Sequence, residues 1–238
     1  MLSLRLPLSL LLLLLLAPVG FSAQPQANSA PLEEEAFAGL TVIAHGEQVF
    51  DIFTGVTTLP EGGEIVDREH GITLTAEWIS YREGEFVDAK DVEVTGEFGT
   101  AHADEVRIDL AAGRLDASGQ VRYERDDLGL AAGALHYYPD DGVVSFEGPV
   151  TGVGAEFEAA SAYFDGTSGV LVLAAPYRYQ DALFELSSER EGALLALTPT
   201  EEGGLVASSS VTREVQQRLE RYLGDTEESE VADQNSQP

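Results

Sequence analysis

The sequence contains no cysteine, so neither a disulfide bond nor a lipid-modified cysteine anchor is available to this chain. Basic residues are scarce: Lys and Arg total 13 of 238 residues against 42 Asp and Glu, for a formal net charge of −29. This balance excludes nucleic acid as a partner, because phosphates need a basic surface. It favours solubility and disfavours contact with an anionic lipid surface unless divalent cations bridge the two.

Patterns of catalytic and metal-binding sites are also missing. Histidine occurs four times, and none has a zinc-ligand spacing to another histidine: His45, His70, His102 and His136. No serine lies in a Gly-x-Ser-x-Gly elbow, and no glycine-rich phosphate loop precedes a helix. His102 and Asp104 could present two ligands on one strand face, but a surface histidine is the simpler interpretation. We therefore expect no enzyme activity, no cofactor and no metal site.

Residues 1–23 have the pattern of a secretory signal peptide. One basic residue, Arg5, precedes the apolar segment Leu6–Ala17, and small residues follow. The apolar segment is shorter than the roughly 18 residues that would span a membrane. Cleavage fits after Ser22 or after Ala23, and the alternative is a retained inner-membrane anchor. We expect export across the inner membrane, to the periplasm or cell envelope.

The middle of the chain repeats with a period of about 29 residues. Glycines recur at intervals of 29, 29 and 27 residues, each in a polar turn: Gly84, Gly113, Gly142 and Gly169. Three columns of residues recur at fixed distances from these glycines. The residues five positions before each glycine are Ile79, Ile108, Tyr137 and Phe164, and those two positions after it are Phe86, Leu115, Val144 and Leu171. The residues six positions after it are mostly small: Lys90, Gly119, Gly148 and Ala175. Self-similarity at a fixed period indicates a repeat architecture, and a glycine between alternating segments predicts a hairpin turn with positive φ.

Alternation within the repeats predicts antiparallel strands with one apolar face. Val106, Ile108 and Leu110 are separated by charged residues, as in a strand that is buried on one side. The run Val170–Leu173 is continuous and predicts burial on both faces. Since one hairpin cannot close alone, we expect neighbouring hairpins to bury a shared apolar strip, in a folded-over antiparallel β-jelly-roll or solenoid.

The ends of the chain are less regular. We expect a final hairpin between Leu183–Leu186 and Ala193–Leu197, and an amphipathic helix from Ser210 to Leu223 with Gly224 as its carboxy-terminal cap. Whether this helix plugs one end of the stack stays open. The predicted division is a signal peptide (1–23), a flexible leader (24–36), the β-domain (37–206), the helix (208–224) and a disordered acidic tail (225–238).

The inward-facing residues are the one candidate binding surface. The predicted lining consists of aliphatic and aromatic side chains: Ile79, Phe86, Val106, Ile108, Leu115, Val121, Tyr123, Leu135, Tyr137, Val144, Phe146, Phe157, Phe164, Leu171 and Leu173. They could form a filled core or line a groove for acyl chains. Periodicity alone does not distinguish these two possibilities.

Three units share one pattern: Ala76–Val94, Ala103–Val121 and Ala160–Tyr177. Each has a small residue, an alternating strand, a polar turn with glycine and a second apolar strand. Gly119–Val121 and Gly148–Val150 have the Gly-x-Val sequence that ends such a unit. These units resemble the organic-solvent-tolerance (OstA-like, LptA-like) repeats of periplasmic lipopolysaccharide-transport proteins.

The resemblance covers residues 72–179 and implies a β-jelly-roll whose apolar groove carries lipid acyl chains. It also implies an envelope lipid or lipopolysaccharide-like glycolipid as partner, with end-to-end self-association or association with other jelly-roll transport proteins. The acidic composition, the irregular first unit and the carboxy-terminal helix depart from the family pattern. The alternatives are a structural scaffold or adhesion protein with a filled β-core, and an enzyme acting on an envelope polymer.

Overall fold

The computed structural model describes residues 34–37, 39–126, 128–153, 155–200 and 204–223. The predicted signal peptide, most of the leader, Gly224 and the acidic tail lie outside the described residues. The strands are β1 (Glu34–Phe37), β2 (Leu40–Ala44), β3 (Val49–Asp51), β4 (Val56–Leu59), β5 (Gly63–Asp67), β6 (Ile72–Arg82), β7 (Phe86–Gly96), β8 (Gly99–Asp109), β9 (Arg114–Arg125), β10 (Leu128–Tyr138), β11 (Val143–Val153), β12 (Glu156–Asp165), β13 (Val170–Gln180), β14 (Glu185–Ser188), β15 (Leu194–Pro199) and β16 (Leu205–Ser208). One helix, α1 (Arg213–Leu223), follows.

All strands belong to one 16-stranded antiparallel sheet, in the order β1-β2-β5-β6-β7-β8-β9-β10-β11-β12-β13-β15-β16. Near one end of this order, β4 and β5 lie end to end along β6, and β3 pairs with β4. Near the other end, β14 and β15 lie end to end along β13. The predicted all-β fold with a short carboxy-terminal helix is confirmed. The predicted final hairpin is wrong, because its two segments pair with different halves of β13 instead of with each other.

The repeating glycines lie in the predicted turns with the predicted backbone conformation. Their φ angles are 72°, 60°, 62° and 70°, at Gly84, Gly113, Gly142 and Gly169. They connect β6 to β7, β8 to β9, β10 to β11 and β12 to β13. The turn signal in the sequence is therefore confirmed in each repeat.

The long strands change register near their middles. The pairing shifts between His102 and Glu105 in β8, and between Glu147 and Val150 in β11. Asp91 in β7 and Gln120 in β9 have positive φ angles of 52° and 47°, and Gly148 in β11 has φ 78°. An extra residue in one strand bends it and increases its twist. The register of β7 with β6 and with β8 is continuous at Asp91, so this residue is a kink in the strand and not a bulge. Together with this kink, the bulges in β8 to β13 cross the sheet and fold its apolar face onto itself.

The folded sheet encloses one main apolar cluster. It draws on strands from Leu40 in β2 to Leu197 in β15. Phe98, in the turn between β7 and β8, stacks on Tyr137 in β10 at a centroid distance of 4.3 Å. This contact crosses the folded sheet, because β10 is a neighbour of neither β7 nor β8 in the strand order. The run Val170–Leu173 is buried on both faces, as predicted, because Leu171 and Leu173 join this cluster while Val172 packs on the opposite side.

Helix α1 covers the outer face of β11–β13. Its buried side chains pack against apolar side chains of these strands: Val215, Leu219 and Tyr222 against Val143, Tyr163 and Val172. The helix begins after Thr212, whose hydroxyl accepts a hydrogen bond from the N–H of Val215 at 3.4 Å. It therefore lies over a sheet face, and not over the end strand β16.

Arg218 fixes the helix to two turns. Its Nη2 lies 2.9 Å from Oδ1 of Asp165, a carboxylate that is 1% exposed. The same nitrogen donates to the carbonyl of Asp141 at 2.8 Å and to Oγ1 of Thr167 at 2.7 Å. Because a buried carboxylate needs a charged partner, Arg218 holds the β10–β11 and β12–β13 turns to α1.

Substitution of Gly62 tests how closely the chain between β4 and β5 approaches β6. Gly62 and Gly55 have φ angles of 72° and 70°, but a Cβ on Gly62 would lie 2.0 Å from the carbonyl oxygen of Ala76, whereas one on Gly55 meets nothing within 4 Å. We expect Gly55→Ala to lower the free energy of unfolding by about 1 kcal/mol and Gly62→Ala by more than about 3 kcal/mol. Denaturant unfolding measures both. Equal losses would contradict the close approach.

Removing the guanidinium of Arg218 should destabilise the protein. We expect Arg218→Met to lower the free energy of unfolding by about 2 kcal/mol, because Asp165 stays buried without its charged partner. Arg213→Met is the matched control, since Arg213 is an exposed residue of the same helix. Chemical denaturation at neutral pH compares the two, and similar small losses would argue against the buried ion pair.

Candidate functional site

An apolar cavity lies where early strands meet later turns of the folded sheet. It has a volume of about 160 Å³. We call it the seam cavity. Its apolar walls come from β2, β5 and β6 on one side and from β8, β9 and the turn between them on the other: Leu40, Ile65, Ile72, Leu74, Ile108, Leu110 and Leu115. Its mouth carries polar residues: Asp67, Glu69, His70, Asp109, Arg114 and Asp140.

His70 bridges the two sides of the mouth. His70 lies in the β5–β6 turn, and its Nδ1 lies 2.7 Å from Oδ2 of Asp67, the last residue of β5. Its Nε2 lies 3.4 Å from Oδ1 of Asp140, which belongs to the short 3-10 turn Pro139–Asp141 after β10. The other oxygen of Asp67 accepts the backbone N–H groups of Glu69 and His70, at 2.9 and 3.1 Å. The β5–β6 turn is thus held in a fixed shape beside the cavity.

The remaining polar groups at the mouth have structural partners. Oδ1 of Asp109 accepts the backbone N–H groups of Ala111 and Ala112, at 3.0 and 2.9 Å, and so shapes the β8–β9 turn. The Nε of Arg114 lies 2.8 Å from Oδ1 of Asp116, outside the cavity. The positive charge of Arg114 is therefore largely balanced before any ligand arrives.

The hydrogen bond that the His70 imidazole donates to Asp67 raises the pKa of His70 above its ordinary value of 6.5, although partial burial acts in the opposite direction. The nearby Asp140 and Glu69 raise this pKa further. The protonated imidazole is therefore the form that the mouth of the cavity favours.

The structure separates the predicted lining residues into three groups. Ile108 and Leu115 line the seam cavity. Most of the others are fully packed in the main apolar cluster: Ile79, Val106, Val121, Tyr123, Leu135, Tyr137, Val144, Phe146, Phe157, Phe164, Leu171 and Leu173. Tyr123 lies 5.1 Å from Phe146 and 6.2 Å from Phe164 between ring centroids, so aromatic rings fill this part of the interior.

Phe86 is a correction to the predicted lining. In β7 the core positions are Val87 and Ala89, so Phe86 faces outward, where the guanidinium of Arg107 lies 4.8 Å from its ring centroid. The cause is the turn: Arg82 pairs with Phe86 across three residues, whereas Asp109 pairs with Arg114 across four. A shift of one residue moves a strand's side chains to the other face.

The sequence interpretation missed most of the seam cavity. Leu40, Ile65 and Leu74 belong to the irregular first unit, outside the repeat columns. The alternation of Ile72 and Leu74 signalled a buried strand face but not a cavity. His70 and its partners lie in turns, where the sequence offered no local signal that they would meet.

A second concavity lies along β6–β9. This open groove, of about 960 Å³, is lined mainly by charged or titratable side chains, which are six carboxylates, two histidines and one arginine: Glu61, Glu77, Asp91, Glu93, Asp104, Glu124, His45, His102 and Arg122. Its charged walls do not suit an apolar ligand. In the described part of the chain, no group of three or more His, Cys, Asp or Glu side chains is placed to hold a metal ion. None of the described helices is long and apolar enough to cross a membrane.

The described residues thus define an all-β protein, a folded-over antiparallel jelly-roll. No protein-family model matches the sequence. No curated protein matches it either. Among solved structures, the chain is similar to LptH, the LptA-homologous periplasmic component of the lipopolysaccharide transport device of Pseudomonas aeruginosa, with a TM-score of 0.41 and 13% identity over 45% of this chain and 81% of that chain. This likeness concerns part of the fold and identifies no ligand.

The bridge made by His70 should make stability depend on pH. Because the pKa of His70 is raised in the folded state, its contribution is present below about pH 6.5 and is lost as pH rises through the folded-state pKa. We expect the free energy of unfolding of the unmodified protein to fall more steeply above pH 6.5 than that of His70→Gln. NMR titration of the imidazole checks the cause: a His70 pKa at or below 6.5 would refute it.

Proposed function

We propose that this chain is a periplasmic lipid-binding and lipid-transfer module that holds part of an acyl chain in the seam cavity. The observation that carries the proposal is an apolar cavity that opens at the seam of a folded β-sheet, beside a polar mouth. The resemblance of residues 72–179 to repeats of lipopolysaccharide-transport proteins supports the same class of ligand. Export of the chain remains the prediction made from residues 1–23.

The size of the cavity suits a short stretch of one chain. An apolar cavity of about 150 Å³ stays dry and holds a molecule the size of benzene, so the seam cavity takes about six carbon atoms. At about 0.8 kcal/mol per buried methylene, this contributes about 5 kcal/mol. Because association also costs translational and rotational freedom, this free energy sets an upper limit on the affinity, a dissociation constant of about 0.1 mM, which suits transfer better than storage.

Exposed apolar side chains support association with a partner as a second element of the proposal. Near one end of the strand order, Phe50, Ile52 and Phe53 are exposed in β3 and the turn after it. Near the other end, Leu183 and Phe184 are exposed in the turn before β14. Exposed apolar groups of this kind mark protein contacts. We propose that these ends mediate end-to-end association, with a second copy or with another jelly-roll protein.

A structural scaffold is the second candidate, and one observation favours it. Most of the predicted lining residues are packed in a filled core, with Tyr123, Leu135 and Phe146 fully buried. In this alternative the seam cavity is a packing gap without a ligand. Native mass spectrometry of protein purified gently from its own envelope distinguishes the two, since a stoichiometric lipid adduct is expected from the lipid-binding module.

Ile108 gives a sharper test than any residue of the filled core. We expect Ile108→Asp to abolish binding of an uncharged acyl-chain fluorescent probe while the protein stays folded, because Ile108 is partly exposed at the cavity wall. Phe146→Asp, at a fully buried position, should instead unfold the chain. Val153→Asp is the matched control, because Val153 is exposed outside the cavity. Probe binding by a folded Ile108→Asp variant would overturn the assignment of the cavity.

A further inference from the structure

The charges around the mouth of the seam cavity are predominantly negative. Four carboxylates stand there, Asp67, Glu69, Asp109 and Asp140, against Arg114 and the imidazole of His70. On this basis, and resting on the proposed lipid-binding function, we propose that the cavity takes an acyl chain whose head is a protonated amine. A chain with a phosphate or carboxylate as its outermost charge is the ligand that this mouth disfavours.

The positive groups of the mouth are already engaged. The Nε of Arg114 lies 2.8 Å from Oδ1 of Asp116, which is not among the residues that line the cavity. The imidazole of His70 lies between Asp67 and Asp140, at 2.7 and 3.4 Å. An anionic head would therefore have to compete with carboxylates for both groups.

The negative groups, by contrast, have oxygens to offer. The side chain of Asp140 is 86% exposed, and Glu69 is exposed as well. An ammonium group has three donors and no acceptor, so it needs several oxygens around it. Carboxylates are its strongest partners, because both members of the hydrogen bond are charged. The mouth supplies these oxygens from two turns, β5–β6 and β10–β11, which meet at the contact between His70 and Asp140.

A neighbouring depression contains two arginines, so it is the place where an anionic head would bind if the proposal were wrong. It shares Glu69 and His70 with the mouth and adds Arg68 and Arg125. The guanidinium of Arg125 lies over the ring of Phe164 at 4.9 Å, and its Nε lies 3.8 Å from Asp126. An anionic head that reached this depression would reverse the expected preference. The net charge of −29 acts against such a head over longer distances.

Competition with an uncharged fluorescent acyl probe tests the proposal on the full protein. The competitors carry the same twelve-carbon chain, each below its micelle concentration: a long-chain amine, the corresponding carboxylate, a lysophosphatidylethanolamine and a lysophosphatidylglycerol. We expect the amine to displace the probe at a concentration at least tenfold lower than the carboxylate. A parallel preference for the ethanolamine lipid over the glycerol lipid assigns the amine to a phospholipid head, and its absence assigns it to a free amphiphilic amine.

The outcomes separate this inference from the proposed function. If the carboxylate and the glycerol lipid displace the probe as well as the amines do, the amine preference is wrong and lipid binding stands. If the probe does not bind, or no competitor displaces it, the proposed function itself fails.

A pair of double variants locates the preference at the mouth. Glu69→Gln with Asp140→Asn should reduce the preference for the amine to less than threefold, measured as the ratio of amine to carboxylate concentrations that displace the same uncharged probe. Glu83→Gln with Glu191→Gln removes the same charge from exposed turns outside the cavity and should keep the preference. An equal loss in both double variants would assign the preference to overall charge and overturn the role of the mouth.

Discussion

The row of β-bulges across the long strands is the constraint on which the rest of the structure depends. Without the extra residues near the middles of β8 to β13, the repeats would form an open sheet with one apolar face in water. The bulges at Gln120 and Gly148 and the positive φ of Asp91 bend the strands at the same level, so the sheet folds over this line. The apolar face then packs against itself, and side chains as distant in sequence as Leu40 and Leu197 share one cluster.

This constraint could be predicted from the sequence only in part. The column of small residues six positions after each turn glycine includes Gly119, Gly148 and Ala175, which lie at the bulges. Periodicity predicted the hairpins, the turns and the buried faces because these depend on local pattern. It failed at Phe86, where a turn shorter by one residue reversed the face. Turn length is set by pairing across the hairpin, which the repeat columns do not encode.

The seam cavity was harder to predict from the sequence than the hairpins and turns were. Its walls combine residues of the irregular first unit, such as Ile65 and Leu74, with Ile108 and Leu115 of a regular repeat. They meet only because the fold brings the β5–β6 turn beside the β10–β11 turn, as the contact between His70 and Asp140 shows. Whether an apolar column is filled or open depends on the side chains opposite it. Aromatic rings fill most of the interior, and aliphatic residues leave a gap at the seam.

Fold and ligand are therefore set by different parts of this chain. The inward columns and the bulges determine the jelly-roll, and they tolerate few polar substitutions because they are buried. The charges at the mouth of the cavity lie instead in turns or at a strand end, at Glu69, Asp109 and Asp140, where substitution costs the fold little unless a side chain shapes the turn, as Asp109 does. The same repeat pattern can thus carry a mouth of either charge. On the proposal that the seam cavity holds an acyl chain, the turns therefore set the charge beside its head, and the interior sets the apolar surface around its tail.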